Sequence, residues 1–344
     1  MTEDLLAGPR GRRFCLGVLT AARPEIWTLA LGSAMAPRVQ RLLDELARTL
    51  GSPDALAVAE SARGSVLLAG LAEAVDSARY WQEPDETDEL LRRRPVLTAL
   101  GPVAALLSAS LAGWLRPSSV ALDRQCFVQW TDERKLQPPS LTDAAGKLAR
   151  WKASTIADER QAAERPRDPA APWSGRWWST PALSDLVTTT RSITGLGALK
   201  LMLVEDSIGW KRALVWPLAP ASGSRIYEIS EPMAWTGLVA RYPLEVTLAK
   251  RHDWWRTTGV DGSWLMPDWS AVAADYDGVH LTVSGYLTAA GRHLAVGQSG
   301  TVLAGWNPDE TYWLNDVLRS GAVPSGWHST ESQPPTWVGD ADSR

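Results

Sequence analysis

Apolar residues in the first part of the chain recur at the three- and four-residue spacing of a helix face. One such run consists of Val39, Leu42, Leu43, Leu46 and Leu50. Gly51 then supplies a helix stop, and Ser52-Pro53 supplies an N-cap and a first-turn proline for the next helix. Similar patterns cover residues 96–113 and 140–165. The spacing therefore predicts a mainly helical part over residues 1–165.

Two short segments of this part are rich in β-forming residues. They are Arg13–Leu19 and Arg124–Trp130, and each carries one of the two cysteines. We expect both segments to be strands.

The second part of the chain has a different pattern, in which short apolar runs alternate with turn residues. Strands are predicted at Leu199–Glu205, Arg225–Ile229 and Gly278–Val283, and helices begin at Pro232 and at Pro267-Asp268. This mixture predicts an α+β fold, with a helical N-terminal part followed by a Trp-rich mixed sheet domain.

Proline and small polar residues set the expected boundaries. The run from Arg165 to Pro172 contains three prolines and predicts a connector. The expected organisation is a helical domain at 1–165, a Pro-rich linker at 166–172, a Trp-rich α+β domain at 173–319 and a disordered tail at 320–344.

Composition excludes several classes of protein. With 45% hydrophobic and 22% charged residues, the chain is globular, and its formal net charge of −4 gives no broad surface for nucleic acid. Residues 96–115 are uncharged, yet they include Gly, Pro, Ser and Thr, which favours a buried core helix over a membrane span. The acidic start of the chain is unlike a signal peptide, and Cys15 and Cys126 fit no disulfide or metal pattern. A cytoplasmic location without membrane contact is expected.

Tryptophan is the unusual residue of this sequence. The chain has 19 Trp but only 2 Phe, and twelve of the Trp lie in residues 173–319. They could form a core in which Trp takes the usual place of Phe, or they could line a pocket for a planar ligand such as a base, a nicotinamide or a sugar. Both interpretations remain open at the level of sequence.

The densest polar and aromatic run covers residues 251–259. We expect a loop in which the arginines bind phosphate and His252 acts as a general base, although a polar loop held by Arg–Asp pairs is the alternative. The predicted ligand-binding residues are Arg225, Tyr227, Arg251, Trp254, Trp255, Arg256 and Thr257. No metal site is predicted, because Asp275, Asp277 and His280 lack a fourth ligand at a suitable spacing.

No complete catalytic or nucleotide-binding motif occurs in the sequence. The first hypothesis is therefore a binding or interaction protein without a cofactor, whose partner is a small planar ligand or another protein. The alternative is an enzyme acting on a nucleotide-like substrate, in the manner of an ADP-ribosyltransferase using NAD. For that chemistry an arginine would hold the pyrophosphate and a carboxylate would stabilise the oxocarbenium-like centre. The candidate catalytic residues are His252, Glu228 and Glu205.

Two runs late in the chain resemble Trp-rich proteins of actinobacteria. They extend from Pro267 to Leu287 and from Leu303 to Leu314. No activity is attached to that group, so the resemblance implies a bacterial cytoplasmic origin and no function.

Overall fold

Helices dominate the first part of the chain, as the spacing predicts. The computed structural model describes residues 2–36, 40–114, 120–131, 138–182, 184–207, 209–321, 323–330 and 336–340. The helices of this part are α1 (Thr2–Ala7), α2 (Pro9–Ala22), α3 (Pro24–Met35), α4 (Gln40–Leu50), α5 (Pro53–Ser61), α6 (Gly64–Asp76), α7 (Glu86–Leu91), α8 (Arg94–Trp114) and α9 (Ala144–Gln161). The predicted cap of α5 is confirmed, because the Ser52 hydroxyl accepts a hydrogen bond from the Ala55 amide.

The strand predicted at Arg13–Leu19 is wrong, since these residues lie inside helix α2. Every residue from Arg10 to Leu19 is buried, and α2 packs against α3, α5, α6, α7 and α8 as well as a helix of the second part. A helix covered on all sides has no polar stripe, so its sequence resembles a buried strand. Both cysteines are free and buried, and burial raises the pKa of each thiol to about 12.

Helix α8 contains the long uncharged stretch. It buries Val96, Leu100, Val103 and Leu107 along one face, while Pro102 on another face is exposed. Among the described residues, α8 is the one helix long and apolar enough to cross a membrane, and the bent pair α5–α6 passes the same test only if counted as one span. In the most apolar window of α8, Arg94–Leu111, 33% of the residues are buried inside the protein, and one helix of this kind is weak evidence for a membrane span.

A large mixed sheet occupies the second part and confirms the α+β class. Its strands are β1 (Gln125–Trp130), β2 (Thr188–Ile193), β3 (Gly197–Ala198), β4 (Arg212–Pro220), β5 (Ile226–Ile229), β8 (Gly278–Leu281), β11 (Glu310–Trp313), β12 (Leu318–Ser320), β13 (Ser325–Ser329) and β14 (Trp337–Gly339). Their order in the sheet is β14-β13-β4-β1-β2-β11-β8-β5, with β12 beside β4 and β3 beside β2. All of these pairs are antiparallel except β5 with β8.

Helices and two small ribbons complete this part. They are α10 (Pro232–Arg241), α11 (Thr247–Thr258), α12 (Trp269–Asp275) and α13 (Val283–Ala289), with the ribbons β6 (Pro243–Glu245)–β7 (Leu265–Pro267) and β9 (Leu294–Val296)–β10 (Ser299–Thr301). The predicted start of α12 is confirmed, because the Asp268 carboxylate accepts from the first amides of the helix. Trp235, Trp269 and Trp306 are fully buried and meet through tilted and edge-on ring contacts. This cluster is a tryptophan core of the kind that the first interpretation describes.

Two predicted segments differ in the structure. The strand expected at Leu199–Glu205 is wrong, because a 3-10 turn occupies Leu199–Leu201. Within residues 320–344, expected as a disordered tail, the described residues include β13 and β14, which extend the sheet. In addition, β1 comes from the predicted helical domain and lies between β4 and β2. The division of the chain into separate domains stays a prediction.

Candidate functional site

The predicted polar loop at 251–259 is a helix instead. Residues Thr247–Thr258 form α11, and Gly259 ends it in the left-handed region with a φ of 73°. Glycine is suited to this position because a left-handed residue closes the last helical turn without a Cβ clash. The side chains that sequence reasoning assigned to one loop therefore point in several directions around a helix.

Asp253 and Arg256 form the internal anchor of α11. The Asp253 carboxylate accepts hydrogen bonds from the Ser174 hydroxyl at 2.8 Å, the Gly175 amide at 3.0 Å and Arg256 at 2.7 Å. Arg256 also donates to the carbonyl oxygen of Trp81 at 3.0 Å. The pair thus ties the helical part to the segment that follows the Pro-rich connector, which is the Arg–Asp pairing that the alternative interpretation describes.

The neighbouring predicted residues are also engaged within the protein. Arg251 donates to the Ala162 carbonyl, and the Thr257 hydroxyl donates to the Tyr80 carbonyl. The Nε2 atom of His252 lies 3.0 Å from the Pro166 carbonyl oxygen. Burial and the adjacent Arg251 lower the pKa of His252, so its ring is neutral at neutral pH.

The two adjacent tryptophans of α11 differ in environment. Trp254 is fully buried, and its indole N–H donates to the Trp177 carbonyl at 2.7 Å. Trp255 is partly exposed. Trp254 therefore serves as a core residue.

Glu228 lies on β5 directly after Tyr227, and Arg225 immediately precedes this strand. Arg225 pairs with Asp277 on the surface, and Tyr227 donates to the Ala234 carbonyl. Glu228 points to the opposite face of the sheet, since successive side chains of a strand alternate. Its Oε1 atom accepts from the Val120 amide at 2.7 Å.

A buried polar row continues from Glu228 across the sheet. The Glu228 carboxylate is 3.9 Å from His280 Nε2, and His280 Nδ1 is 2.9 Å from the Thr311 hydroxyl. Burial raises the pKa of Glu228 to about 7, and burial together with Arg191 lowers the pKa of His280 to about 3. The sequence of carboxylate, imidazole and hydroxyl resembles a catalytic triad, but the Thr311 hydroxyl is fully buried and cannot reach a substrate.

Glu205 lies in a separate buried cluster. The hydroxyls of Tyr80 and Tyr286 approach its carboxylate, although none of these oxygen atoms makes a well-formed hydrogen bond. Burial raises the pKa of Glu205 to about 7, while the two hydroxyls and Arg10 oppose that effect. Among the described residues His252, Glu228 and Glu205 share no contact partner, so the structure does not bring the three predicted catalytic residues together.

A cavity lies between the helical part and the Trp-rich part. It has a volume of about 280 Å³ and lies between the start of α2, the segment 77–92, and residues 257–258 and 291–293 of the second part. Five arginines line this cavity, which we call the arginine cleft: Arg10, Arg12, Arg79, Arg92 and Arg292. Of the predicted site residues, Thr257 lies in its wall.

Carboxylates neutralise part of this charge. Asp88 lines the cleft and pairs with Arg10 at 3.2 Å and with Arg13 at 2.8 Å. Asp85 and Glu73 also pair with Arg13. These acids form a closed network around Arg10 and Arg13, so their charges are already matched within the protein.

Arg12 stands outside this network. Its side chain is about nine-tenths buried, and its Nη1 atom donates to the carbonyl oxygens of Leu6 at 3.1 Å and Ala7 at 3.4 Å. Its Nε atom is buried and has no hydrogen-bond partner among the described residues. Burial and the nearby Arg92 lower the pKa of Arg12 to about 10, despite the opposing effect of Asp88. Within the part of the chain that the structure describes, Arg12 is therefore a buried cation without a carboxylate partner.

The start of helix α2 adds to the positive potential. Pro9 lines the cleft, and Gly8 at the N-cap offers no side chain to cap the first amides. The N-terminus of a 14-residue helix carries a partial positive charge. The cleft thus combines a helix N-terminus with a buried arginine, which is the chemistry that binds anions.

Sequence reasoning missed this site, although a signal was present. Arg10, Arg12 and Arg13 stand within an otherwise apolar run, and arginine is almost never buried without a partner or a role. The remaining walls come from segments far apart along the chain, and no local pattern connects them. Comparison with known protein families, curated proteins and solved structures gave no match, so the resemblance to Trp-rich actinobacterial proteins stays a prediction.

Proposed function

We propose that the protein is a cytoplasmic binding protein that holds a small anionic ligand, carrying a phosphate or carboxylate group, in the arginine cleft. The observation that carries the proposal is Arg12, a buried guanidinium that lines the cleft and has no carboxylate partner in the described ranges of the chain. A buried charge is costly unless it is paired, and a bound anion would supply the missing partner.

Charge complementarity supports an anion as the ligand. The whole chain has a net charge of −4, yet five arginines and three carboxylates line the cleft. Arg10, Arg79 and Arg92 pair with Asp88, Asp206 and Glu89, so Arg12 adds a charge that no described carboxylate matches. A concave site of opposite sign to the rest of the surface concentrates anions. The guanidinium also provides N–H donors in the planar arrangement that suits phosphate and carboxylate oxygens.

The dimensions of the cleft limit the ligand. A volume of about 280 Å³ lies near the lower end of the range for small-molecule pockets. A dinucleotide is too large for this space, so the cleft favours a small metabolite. The NAD-dependent alternative, with Arg225, Tyr227 and Glu228, stays a prediction that these contacts do not support.

Replacement of Arg12 by methionine tests the proposal. Inorganic phosphate, citrate and acetate are titrated into the full chain by calorimetry, with thermal unfolding as a second readout. We expect the Arg12→Met variant to bind the responding anion roughly 10- to 100-fold more weakly, which corresponds to one lost hydrogen bond to a charged group. Methionine fills a similar volume, and removal of an unpaired buried charge should leave the fold intact.

The matched control is Arg93→Met, because Arg93 is exposed and does not line the cleft. It should bind as the unaltered chain does. The proposal is refuted if no anion of the series binds the unaltered chain, or if Arg12→Met binds it with unchanged affinity.

A further inference from the structure

A second aromatic feature lies at the far end of the sheet, away from the buried tryptophan core. Trp130 on β1 is opposite Ala213 on β4, which is in turn opposite Trp327 on β13, and Trp327 is opposite Gly339 on β14. Residues opposite each other in neighbouring strands project to the same face. Two indoles therefore stand on one face of the sheet, with only the small side chain of Ala213 between their strands.

Two more tryptophans join this group. Trp210 stacks on Trp130 with ring centroids 4.8 Å apart and an interplanar angle of 7°, and Trp337 lies 5.5 Å from Trp130 at 49°. All four side chains are partly exposed. We call Trp130, Trp210, Trp327 and Trp337 the indole platform.

The indole platform differs from the tryptophan core in exposure and in its hydrogen bonds. In the core, Trp269 and Trp306 donate the indole N–H to a backbone carbonyl, while the N–H of Trp235 is buried with no partner among the described residues. In the platform, Trp327 donates to the Ser325 hydroxyl. The indole N–H groups of Trp130 and Trp210 have no acceptor within the part of the chain that the structure describes. These donors remain for solvent or for a ligand.

The charges around the indole platform favour an uncharged ligand. The basic residues Lys211 and Arg212 adjoin Trp210, whereas Asp340 follows β14 and Asp206 precedes Trp210, and all four are at least partly exposed. The two signs balance locally, and the whole chain is acidic. Single-stranded nucleic acid also stacks on aromatic rings, but its binding requires a positive groove along the backbone, and the described residues around the platform form none.

We propose that the indole platform binds a neutral carbohydrate chain. A pyranose ring has a flat face of C–H groups that packs on an indole ring, and its hydroxyls accept hydrogen bonds from indole N–H donors. Trp130 and Trp210 stack in parallel, and the outer face of the Trp210 ring provides such a flat surface. This site is separate from the arginine cleft, and the proposal for it does not depend on the anion proposal.

Titration with neutral oligosaccharides tests the inference. Hexamers of β-1,4-linked glucose, xylose and N-acetylglucosamine and of α-1,4-linked glucose are added to the full chain, and binding is followed by calorimetry and by tryptophan fluorescence. We expect at least one hexamer to bind and Trp210→Ala to weaken that binding at least tenfold. Trp210 is the outer ring of the stack and is absent from the hydrophobic cluster beneath the platform, so this variant should keep the fold.

Two controls make the result specific. Trp173→Ala removes an exposed tryptophan elsewhere in the chain and should bind the hexamer as the unaltered chain does, as should Arg12→Met. The inference is overturned if none of the four hexamers binds, if Trp210→Ala binds with unchanged affinity, or if an oligonucleotide binds the platform more tightly than every hexamer.

Discussion

Replacement of Asp253 by asparagine tests whether the polar residues of α11 hold the structure together. The two side chains have nearly the same shape, so the change removes the charge and one acceptor without leaving a cavity. Oδ1 of Asp253 accepts from Ser174 and Arg256, and Oδ2 accepts from the Gly175 amide. An asparagine can present its oxygen to only one of these two sides, and its NH₂ group then faces another donor.

The expected cost follows from the contacts that are lost. The Asp253 side chain is 2% exposed and that of Arg256 is 14% exposed, so solvent replaces little of the interaction. Loss of a hydrogen bond to a charged group costs about 1.5–3 kcal/mol, and a buried unsatisfied donor costs about 1–3 kcal/mol. Arg256 retains its bond to the Trp81 carbonyl, which places the total near the lower end. We expect the free energy of unfolding to fall by about 3 kcal/mol.

Urea unfolding, followed by far-UV circular dichroism, measures this change. The matched control is Asp123→Asn, because Asp123 is exposed and its ion pair within the described residues is a long contact with Arg124 at 3.5 Å. Its effect should stay within about 0.5 kcal/mol. An equal effect of the two substitutions would refute the view that Asp253 anchors α11, and would return residues 251–258 to consideration as a binding segment.

Two further predictions concern buried groups near the arginine cleft. Burial raises the pKa of Glu205 from 4.5 to about 7, so between these pH values the folded chain holds a proton that the unfolded chain releases. The stabilising contribution of this group is therefore full below about pH 4.5 and is lost as the pH rises through about 7. Chemical unfolding at a series of pH values should therefore show a fall in stability between about pH 4 and pH 8 that is smaller, by about 3 kcal/mol, in Glu205→Gln than in the unaltered chain; identical pH profiles would contradict the assignment. Gly291 has a φ of 71°, and an added Cβ would lie 2.4 Å from the Tyr80 ring, whereas Gly297 has a φ of 60° and open space around it. Gly291→Ala should destabilise the fold by about 1–3 kcal/mol more than Gly297→Ala, as measured by thermal unfolding, and equal effects would show that the contact with Tyr80 is unimportant.

Local chemistry explains which elements the sequence predicts correctly. The face of α10 formed by Trp235, Leu238 and Val239 is buried as its spacing predicts, and the caps of α5 and α12 are made by the side chains expected for them. These features depend on residues within one or two turns of each other, so a single stretch of sequence contains the whole signal.

The remaining features depend on residues far apart in the chain. Nothing near residue 251 indicates that Arg256 would bond to the carbonyl of Trp81, and a polar run therefore looks like a binding loop when its partners are unknown. The position of β1 in the sheet and the burial of α2 on every side are likewise set by packing. Arg12 is an exception, because its position among apolar residues indicates from the sequence alone that an arginine is buried there. The structure adds that this arginine lines the cleft.

The central position of β1 constrains how the chain is made. β1 emerges from the ribosome before either of its neighbours, which begin at Thr188 and Arg212. Until then both of its edges carry unpaired backbone groups, which is a state that promotes aggregation. A proteolytic cut in the Pro-rich connector would not release two self-sufficient fragments, because the first would carry away a strand from the middle of the sheet. The two pieces would have to reassemble for either to recover its native packing.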